Sequence, residues 1–191
     1  MLNSDYRSLC SVALPFLERQ KYMHTFDLAA PRMAEGFEDY LGPVTALCQA
    51  AGATAGLAHM TVDEKIVSAG MSQRRPRPHV DGCFVPNLMS WGHPGWLHGC
   101  NDISTGTVGR MPVIVAASAP GCRVWRGKFD AQPKSDGDLS HITDALGEGE
   151  VVPAGVGYLL SADCVHESMI FDMPTQRTFL RIALPVDFAF S

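Results

Sequence analysis

The segment Gln176-Arg177-Thr178-Phe179-Leu180-Arg181-Ile182-Ala183-Leu184 contains the clearest strand pattern in the chain. Strand side chains alternate between two faces, so every second residue shares a face. One face carries Thr178, Leu180, Ile182 and Leu184, and the other carries Arg177, Phe179, Arg181 and Ala183. Two arginines that share a face with Phe and Ala are predicted to point into an enclosed space. An enclosed guanidinium requires an anion, either a structural Asp or Glu or a bound ligand.

Short β-type runs separated by Gly and Pro precede this segment, starting at about residue 55. The other runs are 56–62, 65–71, 113–119, 123–125, 156–160 and 165–171. Many short strands with such turns predict a mainly β sandwich or barrel.

The first 55 residues have a different pattern, from which we expect helices. One helix is expected around the apolar residues between 9 and 17, and a second over about 33–51. Gly42-Pro43 is expected to interrupt or kink the second helix, and Gly52 to end it. The predicted organisation is therefore one domain over 1–191, with a helical part (about 1–55) before a β part (about 56–191).

Composition narrows the class of protein. A chain of 191 residues fits one domain, and 46% hydrophobic and 18% charged residues are typical of globular proteins. No apolar run approaches the roughly 18 residues that span a bilayer, and the start lacks the pattern of a secretory signal. We therefore expect a cytoplasmic protein without a membrane partner. The net charge of −5 does not favour nucleic-acid backbones.

The candidate site is His79-Val80-Asp81, followed far along the chain by His166 and then Arg177. His79 and Asp81 would share one face of a strand, and His166 would come from a later strand. Two imidazoles and one carboxylate on one side of a metal leave the opposite positions open, which is the ligand arrangement of non-haem Fe(II) oxygenases.

The order and spacing of these residues resemble the Fe(II)/2-oxoglutarate-dependent oxygenases, over about residues 74–184. The pattern of that family is His-x-Asp, a long gap, His, and an arginine about ten residues later. The resemblance implies a double-stranded β-helix, a jelly roll of about eight strands related to the cupins, with flanking N-terminal helices. It also implies that His79, Asp81 and His166 bind iron and form the catalytic centre.

The same resemblance implies a reaction and its co-substrates. Dioxygen and 2-oxoglutarate would be consumed, succinate and carbon dioxide released, and a substrate C–H bond hydroxylated or oxidatively demethylated. Arg177 matches the position that binds the distal carboxylate of 2-oxoglutarate in that family. An arginine suits this role because its guanidinium can bind a carboxylate with two parallel hydrogen bonds. Arg181 is the alternative for this role. The carboxylate of Asp81 favours hydroxylation over halogenation.

Four further residues are candidate substrate contacts: Arg74, Arg75, Trp91 and Trp96. A small molecule or a side chain is the expected substrate. A nucleobase in a nucleotide or nucleic acid is an alternative, because the arginines could contact phosphates and the tryptophans could stack on bases. A third alternative is a cupin-like protein that binds a metal or a sugar without catalysis.

Overall fold

The computed structural model describes residues 1–81, 111–134, 137–185 and 187–190. Eleven strands and two α-helices occur within these ranges. The strands are β1 (Leu2–Ser4), β2 (Tyr6–Ser11), β3 (Gln20–Asp27), β4 (Leu57–Val67), β5 (Val113–Ala117), β6 (Cys122–Trp125), β7 (Gly127–Phe129), β8 (Glu150–Val151), β9 (Val156–Leu160), β10 (Val165–Ser168) and β11 (Thr175–Ala183). The helices are α1 (Leu41–Ala51) and α2 (Thr143–Leu146). The prediction of a mainly β protein is confirmed.

The strands form antiparallel sheets. The larger sheet has six strands in the order β2-β9-β5-β11-β4-β3, the smaller has the order β10-β6-β8, and β1 pairs with β7. The segment before Asp81 extends the smaller sheet along β10, through bridges of Ser72 with Ile170 and of His79 with His166. From β4 onward, the larger sheet contains β4, β5, β9 and β11, and the smaller sheet contains β6, β8 and β10.

Apolar side chains fill the space on both faces of the larger sheet. Between the sheets, residues of β5, β9 and β11 pack against Cys122 and Val124 of β6. On the outer face, Leu180 and Ile182 of β11 pack against Val44 and Leu47 of α1. Because Arg177 and Arg181 alternate with Leu180 and Ile182, both arginines lie on the face of β11 that faces the smaller sheet.

The second predicted helix exists but is shorter than expected. It begins at Leu41, so Gly42 and Pro43 lie in its first turn rather than at a kink. Proline is tolerated there because the first backbone N–H groups of a helix have no partner within the helix. Gly52 ends the helix as expected, with φ +80° and an N–H that donates to Cys48 and Gln49. No helix in the described ranges is long and apolar enough to cross a membrane.

The prediction of a helix near residues 9–17, and hence of a helical part over about 1–55, is wrong. Instead, β2 and β3 form the two edges of the larger sheet, where β2 pairs with β9 and β3 pairs with β4. Hydrogen bonds to strands far along the chain hold these segments extended. The spacing of apolar residues within a segment gives no information about such long-range hydrogen bonds. The segments of β2 and β3 therefore belong to the larger sheet rather than to a helical layer.

Candidate metal centre

His79 and His166 face each other across two antiparallel segments. The backbone N–H of each residue donates to the carbonyl of the other, at 2.9 Å in both directions. Residues that exchange both hydrogen bonds place their side chains on the same side of the sheet. The two imidazole rings consequently lie 4.4 Å apart between centroids. Pairing of distant segments thus places the two histidines side by side, as the sequence predicted.

The second nitrogen of each ring fixes which atom could bind a metal. His79 Nδ1 lies 2.8 Å from the carbonyl of Arg77, and His166 Nδ1 lies 3.0 Å from that of Cys164. A carbonyl only accepts hydrogen bonds, so Nδ1 carries the proton in both rings. The lone pair is therefore on Nε2 in each case. Metal-binding histidines commonly donate their other ring N–H to such an acceptor, which orients the ring.

Asp81 completes the cluster. Its Oδ1 atom lies 3.9 Å from His79 Nε2 and 3.7 Å from His166 Nε2. The ligand atoms of the three residues lie within 4.8 Å of one another. Two atoms bonded to one ion at about 2.1 Å are at most about 4.2 Å apart, so one ion can contact Oδ1 and either nitrogen.

Arg181 contacts the same carboxylate from the other side. Its Nε donates to Asp81 Oδ2 at 2.7 Å, and the arginine side chain is only 10% exposed. This contact occupies one carboxylate oxygen and leaves Oδ1 directed at the histidines. Arg181 therefore lies at the cluster itself, as an orienting partner of Asp81.

The electrostatics of the cluster favour the protonation states that bind a metal. Burial, together with the neighbouring His166, lowers the pKa of His79 to about 3, so its ring is neutral. Burial opposes ionisation of Asp81, but the adjacent charge of Arg181 is the largest opposing influence, and the pKa of this carboxyl lies well below its usual range. A neutral imidazole and an ionised carboxylate are the ligand forms of these residues.

Arg177 lies on the same strand and face as Arg181, four residues earlier, and is 1% exposed. Its Nε donates to the carbonyl of Ala119 at 3.0 Å, and its Nη1 donates to Gln73 Oε1 at 2.5 Å. The rings of Phe171 and Phe179 lie 5.7 and 5.6 Å from the guanidinium carbon. Within the described part of the chain, no carboxylate oxygen lies within 4 Å of this guanidinium. Burial lowers the pKa of Arg177 to about 10, so the arginine remains charged at neutral pH.

Two of the four predicted substrate residues, Arg74 and Arg75, lie within the described structure. Arg74 lies 3.7 Å from Asp63 Oδ2, and its guanidinium packs near the rings of Tyr22 and Phe179. Arg75 lies 4.0 Å from Asp138 Oδ1. Each arginine thus has an acidic neighbour inside the protein. Trp91 and Trp96 lie outside the described residues.

Sequence reasoning missed Gln73 and Asp63, which adjoin the two arginines of β11. Gln73 is 4% exposed and contacts Arg177 directly, and Asp63 is fully buried opposite Phe179. A lone Gln carries no sequence signal. Asp63 does have a sequence signal, because an acidic residue at an inward position of β4 is unusual for a buried face.

Comparison of the chain with protein-family models and with curated proteins gives no match.

Proposed function

We propose that this protein is an Fe(II)- and 2-oxoglutarate-dependent oxygenase that hydroxylates or oxidatively demethylates a substrate C–H bond. One observation carries the proposal: an orientated His79–Asp81–His166 cluster accompanied by a buried arginine that has no carboxylate partner among the described residues. Two neutral nitrogens and one carboxylate oxygen suit Fe(II) and leave other coordination positions open. An unpaired buried charge is costly, so such a charge is retained where it binds an anion.

The strand pairing supports a double-stranded β-helix as the fold. From β4 onward, the first strand pairs with the last, as β4 pairs with β11. Moving inward, the segment around 72–79 pairs with β10, β5 pairs with β9, and β6 pairs with β8. These are the pairings of one long antiparallel hairpin that has been rolled up, and rolling it gives the two sheets of a jelly roll.

The positions of the two arginines suggest different roles. A strand rises about 3.3 Å per residue, so the Cα atoms of Arg177 and Arg181 are about 13 Å apart. Arg181 contacts a proposed iron ligand, whereas Arg177 lies farther along the strand. A dicarboxylate bound to the metal through one end would extend its other carboxylate away from the metal. Arg177 is therefore proposed to bind that distal carboxylate, and Arg181 to orient Asp81.

In this proposal each protein group has a defined task. His79, Asp81 and His166 hold the iron, and their hydrogen bonds keep Nε2 and Oδ1 directed at it. Arg177 sets the direction of 2-oxoglutarate, and the surrounding phenylalanines exclude water from the guanidinium. When bound, iron supplies the activation of dioxygen that couples decarboxylation of 2-oxoglutarate to oxidation of the substrate. A small molecule or side chain is the proposed substrate class, and the location is proposed to be cytoplasmic.

The test is anaerobic binding followed by turnover. Purified protein with Fe(II) should develop a weak visible charge-transfer band on addition of 2-oxoglutarate. Admission of air should then yield succinate, even without substrate. A folded protein that binds metal but shows neither band nor succinate would instead be a cupin-like binding protein. Salt-sensitive binding of single-stranded oligonucleotides would move the substrate class to nucleobases.

A further inference from the structure

Gln73 is bound at both ends of its side-chain amide. Its Oε1 accepts a hydrogen bond from Arg177 Nη1 at 2.5 Å. Its Nε2 donates to the backbone carbonyls of Asp63, at 2.6 Å, and of Arg177, at 3.2 Å. These carbonyls belong to neighbouring strands of the larger sheet, β4 and β11. The amide is therefore fixed in orientation, with its oxygen directed at the guanidinium.

The contacts of Arg177 leave a defined set of donors for a ligand. A guanidinium has five N–H groups. Ala119 takes the one on Nε and Gln73 takes one on Nη1, so one N–H on Nη1 and both on Nη2 have no acceptor among the described residues. Rotation about the side chain would break both existing bonds. The directions of the remaining N–H groups are therefore fixed, and a carboxylate can accept two parallel hydrogen bonds from a guanidinium.

Close packing leaves little room for the guanidinium to move elsewhere. At Gly121, where φ is +147°, a Cβ atom would lie 2.5 Å from Phe171 Cζ and 3.3 Å from Arg177 Nε. The phenylalanine ring thus packs on the guanidinium only because residue 121 has no side chain. The guanidinium is confined by packing on one side and by Gln73 on the other.

We propose that Gln73 is a positioning residue for a distal carboxylate: it holds Arg177 so that the N–H groups without an acceptor among the described residues stay available to the ligand, while adding no charge of its own. This inference rests on the proposed function. The neutrality of Gln73 is the essential property, because a carboxylate at the same place would form an ion pair with Arg177. The guanidinium would then have no net charge to offer a dicarboxylate.

The test compares Gln73→Glu with Gln176→Glu, which adds the same charge at an exposed position next to Arg177. Binding of 2-oxoglutarate and of pyruvate to the Mn(II)-loaded protein is measured by anaerobic calorimetry. Pyruvate has the 2-oxo acid end but no distal carboxylate. Gln73→Glu should raise the Kd for 2-oxoglutarate about 100-fold and leave that for pyruvate within about threefold. Gln176→Glu should change neither value by more than about threefold.

A second variant covers the case in which Gln73→Glu does not fold. Gln73→Met keeps the size of the side chain but frees Arg177 Nη1, and should raise the Kd for 2-oxoglutarate about tenfold. Equal weakening of both ligands, or unchanged binding of 2-oxoglutarate by a folded variant, would overturn the positioning role alone. Failure of the wild-type protein to bind 2-oxoglutarate would overturn the proposed function and this inference with it.

Discussion

Replacing Arg177 by Met should separate ligand binding from folding. If this arginine is present to bind a carboxylate, Arg177→Met should strongly weaken 2-oxoglutarate binding at little cost in the stability of the ligand-free protein. If it is a structural residue, the same substitution should destabilise the fold. The two roles therefore predict opposite patterns in two independent measurements.

The magnitude follows from the contacts of Arg177. Burial lowers its pKa from 12.5 to about 10, which corresponds to about 3 kcal/mol against the charged side chain. Met removes this cost. It also removes the donors to Ala119 and Gln73, at about 1–3 kcal/mol for each acceptor left unpaired. Because the two effects oppose each other, the free energy of unfolding should change by less than about 3 kcal/mol.

The assays are chemical denaturation of the metal-free protein and calorimetric titration of the Mn(II) form with 2-oxoglutarate. Affinity should fall about 100-fold or more. The matched control is Arg181→Met, which deprives Asp81 Oδ2 of its partner at 2.7 Å. This control should destabilise the metal-free protein more than Arg177→Met does. Destabilisation by Arg177→Met of more than about 4 kcal/mol, with 2-oxoglutarate affinity retained, would refute the reasoning.

Of three further predictions, two concern the site and one concerns the stability of the fold. Arg181→Met should weaken Mn(II) binding about tenfold to 100-fold in a metal titration, because the orientation of Asp81 is lost; unchanged affinity would contradict the orienting role. Burial raises the pKa of Glu64, but the hydrogen bonds that its carboxylate accepts from Arg19 and Tyr40 outweigh burial and lower the pKa from 4.5. The ionised form of Glu64 therefore stabilises the fold above about pH 4.5. This contribution is lost as the pH falls through the lowered pKa. In denaturation curves, the free energy of unfolding of Glu64→Gln should be lower than that of the wild type at pH 7, and the difference should shrink below pH 4.5. A difference that stays constant with pH would contradict the stabilising role of the ionised carboxylate. Gly121→Ala should lower the melting temperature and weaken 2-oxoglutarate binding, because its Cβ would collide with Phe171; a variant equal to the wild type in both would disprove the close packing.

The β part of the fold could be predicted because its signals are local. Alternation over 176–184 predicted β11 and the face on which both arginines lie. Gly52 predicted the end of α1 because a left-handed residue there is a property of the helix itself. The three candidate ligands could also be named from their spacing, and the structure brings them together.

The remaining features depend on contacts between distant segments. The segments of β2 and β3 are extended because they pair with β9 and β4, and their apolar spacing alone suggested a helix. The different contacts of Arg177 and Arg181 were equally hidden, since both residues share a face. Only the contact of Arg181 with Asp81, and that of Arg177 with Gln73, distinguishes them.

The central claim is that His79, Asp81 and His166 bind one metal ion together. The most direct measurement is an anaerobic titration with Co(II), followed by visible absorption and by metal analysis after gel filtration. We predict one ion per chain in the wild-type protein, and loss of that ion in Asp81→Ala and in His166→Ala, both still folded by circular dichroism. A wild-type protein that retains no ion, or two folded variants that retain it with unchanged affinity, would contradict the account.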